Sequence, residues 1–589
     1  MHVRYPRTPH LPWSPGATSD DVRAGELSGL RGREVVVTEK LDGENTTLYA
    51  DGVHARSLDS AHHPSRTWVK ALQGRISGQI PAGWRICGEN LFARHSIEYK
   101  ELDSWFYGFS VWDSDNCLDW DLTARFLRRL GVPTPPVLWR GVFDERVLRA
   151  LRLDTARQEG YVVRAVDGFR REEFGARVAK WVRPAHVESD THWMHAAVVV
   201  NGLGPAAPLW AVRTGAAADV RSLLGAVGIA AEAEVDEATE AVMADASARL
   251  DALGRTGDAR LSGVLAALLH DRYRARLMSG LVGPLGMPLA RRVADLVGLH
   301  TRLHQPYPDE DRRAGLVRMS FAADLGVLHA VAGAALVGRT VGDAAGADAE
   351  AELVQVREQV EWSALHAEEA GLLGEAPLES LRSGLREALS RLEADAADRC
   401  WAQTREAYAS GRVGSVEEAV AASWQWRSGD YARLVHLVGP SGSGKSVFAE
   451  RFGAECISLD ELRVARGSRT DQRANGEVLA KGLDQLDAAL AGGGTVVWDA
   501  TSLNSRQRSL VHAVARRRDA LTTHAVLLVT EDELVRRNAE RANPVPPEVL
   551  GAQLRRFAPP YPGEAHRTWY VGPSGGVEDV DGVLDGEEG

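Results

Sequence analysis

Residues 432–448 read ARLVHLVGPSGSGKSVF. An apolar run, Leu434–Val438, meets an eight-residue loop, Gly439-Pro440-Ser441-Gly442-Ser443-Gly444-Lys445-Ser446, and then a segment of helical character. The loop fits G-x-x-x-x-G-K-[ST] in full, in the strand-to-helix setting that gives the pattern meaning. Glycines let backbone N–H groups curl around phosphate oxygens, and the helix N-terminus adds the positive end of a dipole. Gly439, Ser441, Gly442, Ser443 and Gly444 are therefore the expected phosphate cradle. Lys445 is expected on the β/γ-phosphates and the Ser446 hydroxyl on Mg²⁺.

Working outward from this loop, CISLD, TVVWDAT and THAVLLVT are apolar runs that end in polar residues and alternate with helical stretches. That alternation predicts a parallel α/β sheet over 429–575. Asp460 and Arg463 follow the second run in SLDELR, and Asp499 ends the third. A carboxylate beside a phosphoryl-transfer cleft can accept the proton of an attacking hydroxyl. RRNAERANPVPPEVL places Arg537 and Arg541 four apart, on one helical face suited to clamping phosphates, or to facing solvent. No Asp-Glu pair of the motor-ATPase kind follows Asp499, which favours a kinase. This module resembles the polynucleotide 5′-kinase family. The resemblance implies Asp460 as general base on a 5′-hydroxyl, Arg463 on the acceptor's phosphate, and Arg537 or Arg541 at the transferring phosphoryl. A small-metabolite kinase shares the loop and the Asp. The last residues, 576–589, are acidic and glycine-rich and are expected to form a flexible tail.

The chain has 589 residues and a net charge of −12; 44% is hydrophobic and 25% charged. Three or four domains are expected at roughly 150 residues each, and a disordered or collagen-like chain is excluded. The acidic balance argues against non-specific coating of nucleic acid but leaves room for a local basic groove. No membrane span or signal peptide is read. Cys87, Cys117, Cys400 and Cys456 form no C-x-x-C pair. They predict neither a disulfide framework nor a cysteine zinc site, and fit a reduced, cytoplasmic setting.

Residues 1–205 carry short β-like runs punctuated by Gly, Asp and Pro. In TEKLDGENTTLY, Lys40 ends a β-branched run and Asp42-Gly43 comes next. Alone, K-x-D-G reads as a turn. Its weight comes from the residues downstream of it, in order Arg56, Glu89, Phe109, Glu159, Lys180 and Arg183. A lysine nucleophile must lose its proton near neutral pH, which cations or desolvation can arrange. Attack on an ATP α-phosphate would give lysyl-AMP, with Arg56 and Lys180 neutralising phosphate charge. Glu89 and Glu159 suit ribose hydroxyls or Mg²⁺. Phe109 could stack on adenine or simply pack.

This order resembles the covalent nucleotidyltransferase superfamily, the RNA ligase branch above all, over about 35–195. The resemblance implies an ATP-grasp-like ligase domain with Lys40 adenylylated. It also implies Asn45, Arg56, Glu89, Glu159 and Lys180 in nucleotide and phosphate binding, and Arg183 in place of a second lysine.

Between the two modules, 206–428 is Ala-, Leu- and Arg-rich with helical spacing. His270-Asp271 and Asp324 there faintly resemble the metal ligands of HD-type phosphohydrolases, an incomplete set that a plain helical scaffold explains as well; His300 and His304 lie four apart. The chain therefore reads as a multidomain α+β and α/β protein. The expected activity is an RNA end-healing and sealing enzyme. It would use ATP and Mg²⁺ (or Mn²⁺) to phosphorylate 5′-hydroxyl RNA ends and to join 5′-phosphate to 3′-hydroxyl ends. A DNA ligase–kinase and a nucleotide-sensing scaffold are the rival readings.

Overall fold

A computed structural model describes residues 2–58, 63–184, 198–229, 235–308, 311–337, 346–466, 475–541 and 543–586. The chain divides into two compact units. The first comprises 1–240 and 247–261, and the second comprises 241–246 and 262–589. The N-terminal unit thus runs past residue 205 and takes in the first helices of the Ala/Leu-rich region. The remaining helices of that region belong to the unit that carries the phosphate loop.

Among the described residues the first unit holds ten strands: β1 (Glu34–Lys40), β2 (Glu44–Tyr49), β3 (Gly52–Ala55), β4 (Trp84–Asn90), β5 (Phe106–Asp113), β6 (Asn116–Cys117), β7 (Val137–Val142), β8 (Gly160–Ala165), β9 (Phe169–Arg170) and β10 (Val178–Val182). They form two antiparallel sheets, in the orders β10-β8-β1-β7 and β3-β2-β4-β5-β6-β9. The β-branched run Val35–Val37 is fully buried, as a pleated core strand requires. Lys40 ends β1 in one sheet and Glu44 opens β2 in the other, so Leu41-Asp42-Gly43 carries the chain across. Gly43 is needed there: a Cβ would meet Asn90 O at 2.5 Å and Leu91 Cδ2 at 2.7 Å. Asp42 holds the crossing in place by accepting from Ser96 N, Ser96 Oγ and Ile97 N at 2.7–2.9 Å.

The second unit contains β11 (Arg433–Val438), β12 (Glu455–Ser458), β13 (Thr495–Asp499), β14 (Leu521–Leu527), β15 (Arg567–Val571) and β16 (Val577–Asp581) in the order β12-β13-β11-β14-β15-β16. The first five are parallel, as the apolar runs predict. The chain steps to one side of β11 and later to the other, so the end of β11 is a topological switch point where ligands bind in such sheets. The expected flexible tail is not what forms. β16 pairs antiparallel with β15, Leu584 is buried in a helical core with Leu385 and Trp401, and Arg382 Nε donates to Leu584 O at 3.0 Å. The acidic, glycine-rich composition hid the β-branched Val577 and Val580, which fall within β16. Among the described residues no single helix is long and apolar enough to cross a membrane, and all four cysteines are free thiols.

Candidate active sites

A cavity of about 760 Å³ in the first unit is lined from both sheets. Its walls include Lys40, Asn45, Arg56, Glu89, Phe109 and Lys180. Asn45 on β2 stands in register with Glu89 on β4, which puts both side chains on one sheet face. Lys40 Nζ donates to Glu159 Oε2 at 2.5 Å. Burial works against the Lys40 charge, but Glu159 and then Glu89 outweigh it and hold the ammonium above its usual range. Burial pushes the Glu89 carboxyl up to about 8, against the pull of Lys40. Burial lowers Lys180, and the charge of Lys40 lowers it further, against the pull of Asp21 and Glu159. The cavity wall thus mixes cations, Lys40, Arg56 and Lys180, with the carboxylate of Glu89, and Glu159 pairs with Lys40. The cations suit an ATP α-phosphate, and the Glu89 and Glu159 oxygens suit a hard divalent ion. Phe109 lies edge-on to Tyr5 at 5.3 Å between centroids, one face of an apolar wall.

Neither Arg183 nor Glu159 is among the residues lining the cavity; Arg183 N donates to Glu159 O at 3.0 Å, beyond the last β10–β8 pair, and the Arg183 guanidinium donates to Thr155 O at 2.6 Å. Other residues do line the site without having been singled out. Tyr5–Thr8 form part of the wall, as does Arg164, which also donates to Leu118 O at 2.8 Å. Glu44 and Arg66 form a buried ion pair there, Arg66 Nε reaching Glu44 Oε2 at 2.8 Å. Arg164 closes the same EGYVVR run that supplies Glu159, so its signal was in the sequence; Tyr5–Thr8 carry no periodicity.

In the second unit, the loop after β11 turns through Gly442 (φ 87°) and Gly444 (φ 98°), left-handed positions that glycine alone adopts without strain. Ser443 Oγ is buried without a hydrogen-bond partner, as a loop shaped for an absent phosphate would leave it. Lys445 Nζ rests on Gly439 O at 2.9 Å and Pro440 O at 2.8 Å. Burial lowers it to about 8, against the attraction of Asp499 and Asp460. Ser446 Oγ donates to Asp499 Oδ2 at 2.8 Å, an oxygen pair that fits Mg²⁺. Asp460 lies in the first turn of the helix Leu459–Ala465, which Ser458 caps, and is exposed toward solvent. Arg463 Nη1 donates to Asp460 Oδ1 at 2.5 Å.

The helix Glu531–Ala539 lies over the loop. Leu534 O comes within 3.6 Å of where a Gly442 Cβ would stand, and Arg537 Nη1 within 4.0 Å at Gly444. Glu533 and Pro573 O hold Arg537 at 2.6 and 2.8 Å. Arg541 follows this helix, exposed, and its charge reaches Lys445.

The HD-like metal set does not assemble. Asp324 caps its own helix through Val327 N at 3.2 Å, His270 Nδ1 is bonded to Ala267 O at 2.9 Å, and Asp271 is exposed beside Arg272. His300 and His304 each bond a backbone carbonyl, Val297 O and Ala332 O.

The RNA ligase family model matches residues 33–182, and the AAA domain family model matches residues 434–560. No curated protein matches the sequence. Among solved structures, the Naegleria gruberi RNA ligase with PPi is 20% identical, with a TM-score of 0.22, over 27% of this chain and 52% of that one. The match spans about half of that ligase. A Sinorhizobium meliloti gluconokinase is 22% identical over 25% of this chain and 86% of that one, TM-score 0.20. The Mycobacterium tuberculosis APS kinase with AMPPNP and APS is 19% identical over 25% and 92%, TM-score 0.19. Two stretches of the chain thus match family models, an RNA ligase model over residues 33–182, which hold Lys40, and an AAA domain model over residues 434–560, which hold the phosphate loop.

Proposed function

We propose that the chain heals and seals RNA ends with two active sites used in series. The observation that carries this reading is Lys40: a strand-end lysine in an RNA ligase family domain, paired at 2.5 Å with Glu159 and lining a cavity together with Arg56, Glu89 and Lys180. With ATP in that cavity, Lys40 Nζ attacks the α-phosphorus. The N–P bond forms, the bond to the bridging oxygen breaks, and pyrophosphate leaves past Lys180 and Arg56. The Nζ proton has Glu159 as its nearest acceptor. AMP then passes to a 5′-phosphate, and a 3′-hydroxyl displaces it as the strand joins. Asn45, Glu89 and Phe109 are placed to hold the nucleoside. A divalent ion on Glu89 and Glu159 would supply charge neutralisation at the phosphates.

The second site supplies the 5′-phosphate. Asp460 takes the proton of a 5′-hydroxyl, the new O–P bond forms at the γ-phosphorus of an NTP, and the nucleoside diphosphate leaves. Arg463 is placed for the acceptor's phosphate, and Arg537, the lid cation nearer the loop, for the transferring group. Mg²⁺ on Ser446 and Asp499 would screen the phosphate oxygens. The AAA family name does not itself specify a kinase. That reading rests on Asp460, the lid helix, and fusion to a ligase, which presents the healed end at high effective concentration.

The test uses wild type and Lys40→Ala with α-labelled ATP, Mg²⁺ and RNA bearing 5′-hydroxyl and 3′-hydroxyl ends. The reading predicts label on wild type only, with ATP-dependent joining. Labelling without RNA joining would move the substrate to DNA. A folded wild type that binds ATP and takes no label would overturn the ligase and favour a sensor.

A further inference from the structure

A second cluster lies away from the phosphate loop's mouth, inside the same sheet. His436 on β11 and His524 on β14 are register partners in parallel strands, so their rings stand side by side on one sheet face. Both are fully buried. His512, from the helix Ser505–Arg517, completes the group. Its ring stacks on His524 at 4.8 Å and meets His436 at 5.5 Å. One nitrogen from each ring can be chosen so that all three lie within 4.8 Å of one another. Among the described residues no other group of three His, Cys, Asp or Glu side chains does this.

Their hydrogen bonding is incomplete. His512 Nε2 and His524 Nε2 share one bond of 2.8 Å, and His436 Nε2 pairs with Ser502 Oγ at 2.8 Å. His436 Nδ1 and His524 Nδ1 are buried and have no partner. Buried ring nitrogens left in this way are costly unless something ligates them. Ser502 is itself unusual: a buried non-glycine residue at φ 48° whose hydroxyl fixes the His436 ring. An outer partner that orients a ligand's ring is what metal-binding histidines have. His512 is only half-buried, which leaves a path from solvent.

We propose that His436, His512 and His524 form a transition-metal site of the zinc class within the P-loop unit. Three imidazoles suit Zn²⁺, and zinc–nitrogen bonds of about 2.0–2.1 Å in a tetrahedron place ligand nitrogens roughly 3.4 Å apart, within reach of small ring rotations here. The metal would tie β11, β14 and the helix Ser505–Arg517 together three residues before Gly439, where the phosphate loop begins. It is a structural device for the kinase sheet and takes no part in phosphoryl transfer.

The test uses the full-length protein, stripped with a chelator, dialysed against Zn²⁺ alone, and assayed for bound metal and melting temperature. Wild type is expected to retain about one more Zn²⁺ per chain than His512→Ala, and to melt several degrees higher with Zn²⁺ than without it. His512→Ala, altered at the half-buried position, should fold and lose both effects. Co²⁺ in place of Zn²⁺ gives a readout that needs no variant: the ligand-field absorption of four-coordinate, nitrogen-bound cobalt in wild type. Zinc uptake by His512→Ala equal to that of wild type overturns the proposal. So does wild type with no retained metal, or with no such cobalt spectrum.

Discussion

Two lysines, half-buried Lys40 at the end of β1 and buried Lys445 opening the helix after the phosphate loop, have phosphates as their proposed partners, yet their surroundings push them in opposite directions. Lys40 faces carboxylates, and Glu159 and Glu89 keep it charged above the usual lysine range despite burial. Lys445 has only the carbonyls of Gly439 and Pro440 in contact, so burial wins and lowers it to about 8. Burial alone does not set the state of a lysine; the nearest partner does. The difference matches the two tasks. A nucleophile must be released from its ion pair by incoming phosphate and cations, whereas a phosphate anchor needs only to regain its full charge when the phosphate arrives.

The largest expected effect comes from making the same substitution at both positions. Lys40→Arg keeps a cation for Glu159 but removes the nucleophile, since guanidinium does not deprotonate. Covalent labelling should fall by at least about 10⁴-fold. Lys445→Arg keeps the required charge, so kinase turnover should fall much less, by about 10²-fold, as measured with 5′-hydroxyl RNA and γ-labelled ATP. Equal losses at the two sites would erase the distinction. Asp460→Asn comes next. It should lower kinase turnover by about 10³-fold with little change in the KM for ATP, and leave the joining of pre-phosphorylated RNA intact.

Phosphate loops are legible because their glycines and lysine are contiguous, and the alternating runs around this one disclosed the parallel sheet. The cavity of the first unit was legible in part. Lys40, Arg56 and Glu89 fall at or beside strand ends and Lys180 within β10, in an order along the chain that carries a pattern, so their convergence could be anticipated. Tyr5–Thr8 could not, because an irregular segment joins a site through tertiary packing that leaves no period behind. The same limit hid the histidine cluster. His436 and His524 are distant in sequence and meet only because parallel strands β11 and β14 align them.

A smaller effect concerns pH. Lys445 is lowered, so in the free protein its charge is lost as pH rises through about 8. Phosphate restores the charge, and ATP binding to the kinase site should therefore take up a proton above that pH. Affinity should weaken by up to about tenfold per pH unit from about 8 toward the usual lysine value. Titration calorimetry of Lys40→Ala, which retains only the kinase chemistry, in buffers of different ionisation enthalpy reads this directly. Lys445→Arg in the same background should abolish the uptake, and uptake that persists would place the proton elsewhere.

The smallest effect sharpens the Lys40 half. Glu159→Gln removes the strongest support for its charge. Without ATP, Lys40 should then react several-fold faster with an amine-modifying reagent at neutral pH, followed by mass spectrometry. An unchanged or slower rate would mean that Glu159 does not hold the proton.

The most direct measurement of two sites working in series is a crossed pair of substrates and variants. RNA with either a 5′-hydroxyl or a 5′-phosphate, each with a 3′-hydroxyl, is given to Lys40→Ala and Lys445→Ala with ATP and Mg²⁺. Lys40→Ala is expected to phosphorylate the 5′-hydroxyl RNA and to join neither. Lys445→Ala should join the 5′-phosphate RNA and leave the 5′-hydroxyl RNA untouched. Joining of 5′-hydroxyl RNA by Lys445→Ala, or failure of Lys40→Ala to phosphorylate it, would contradict the serial use of the two sites.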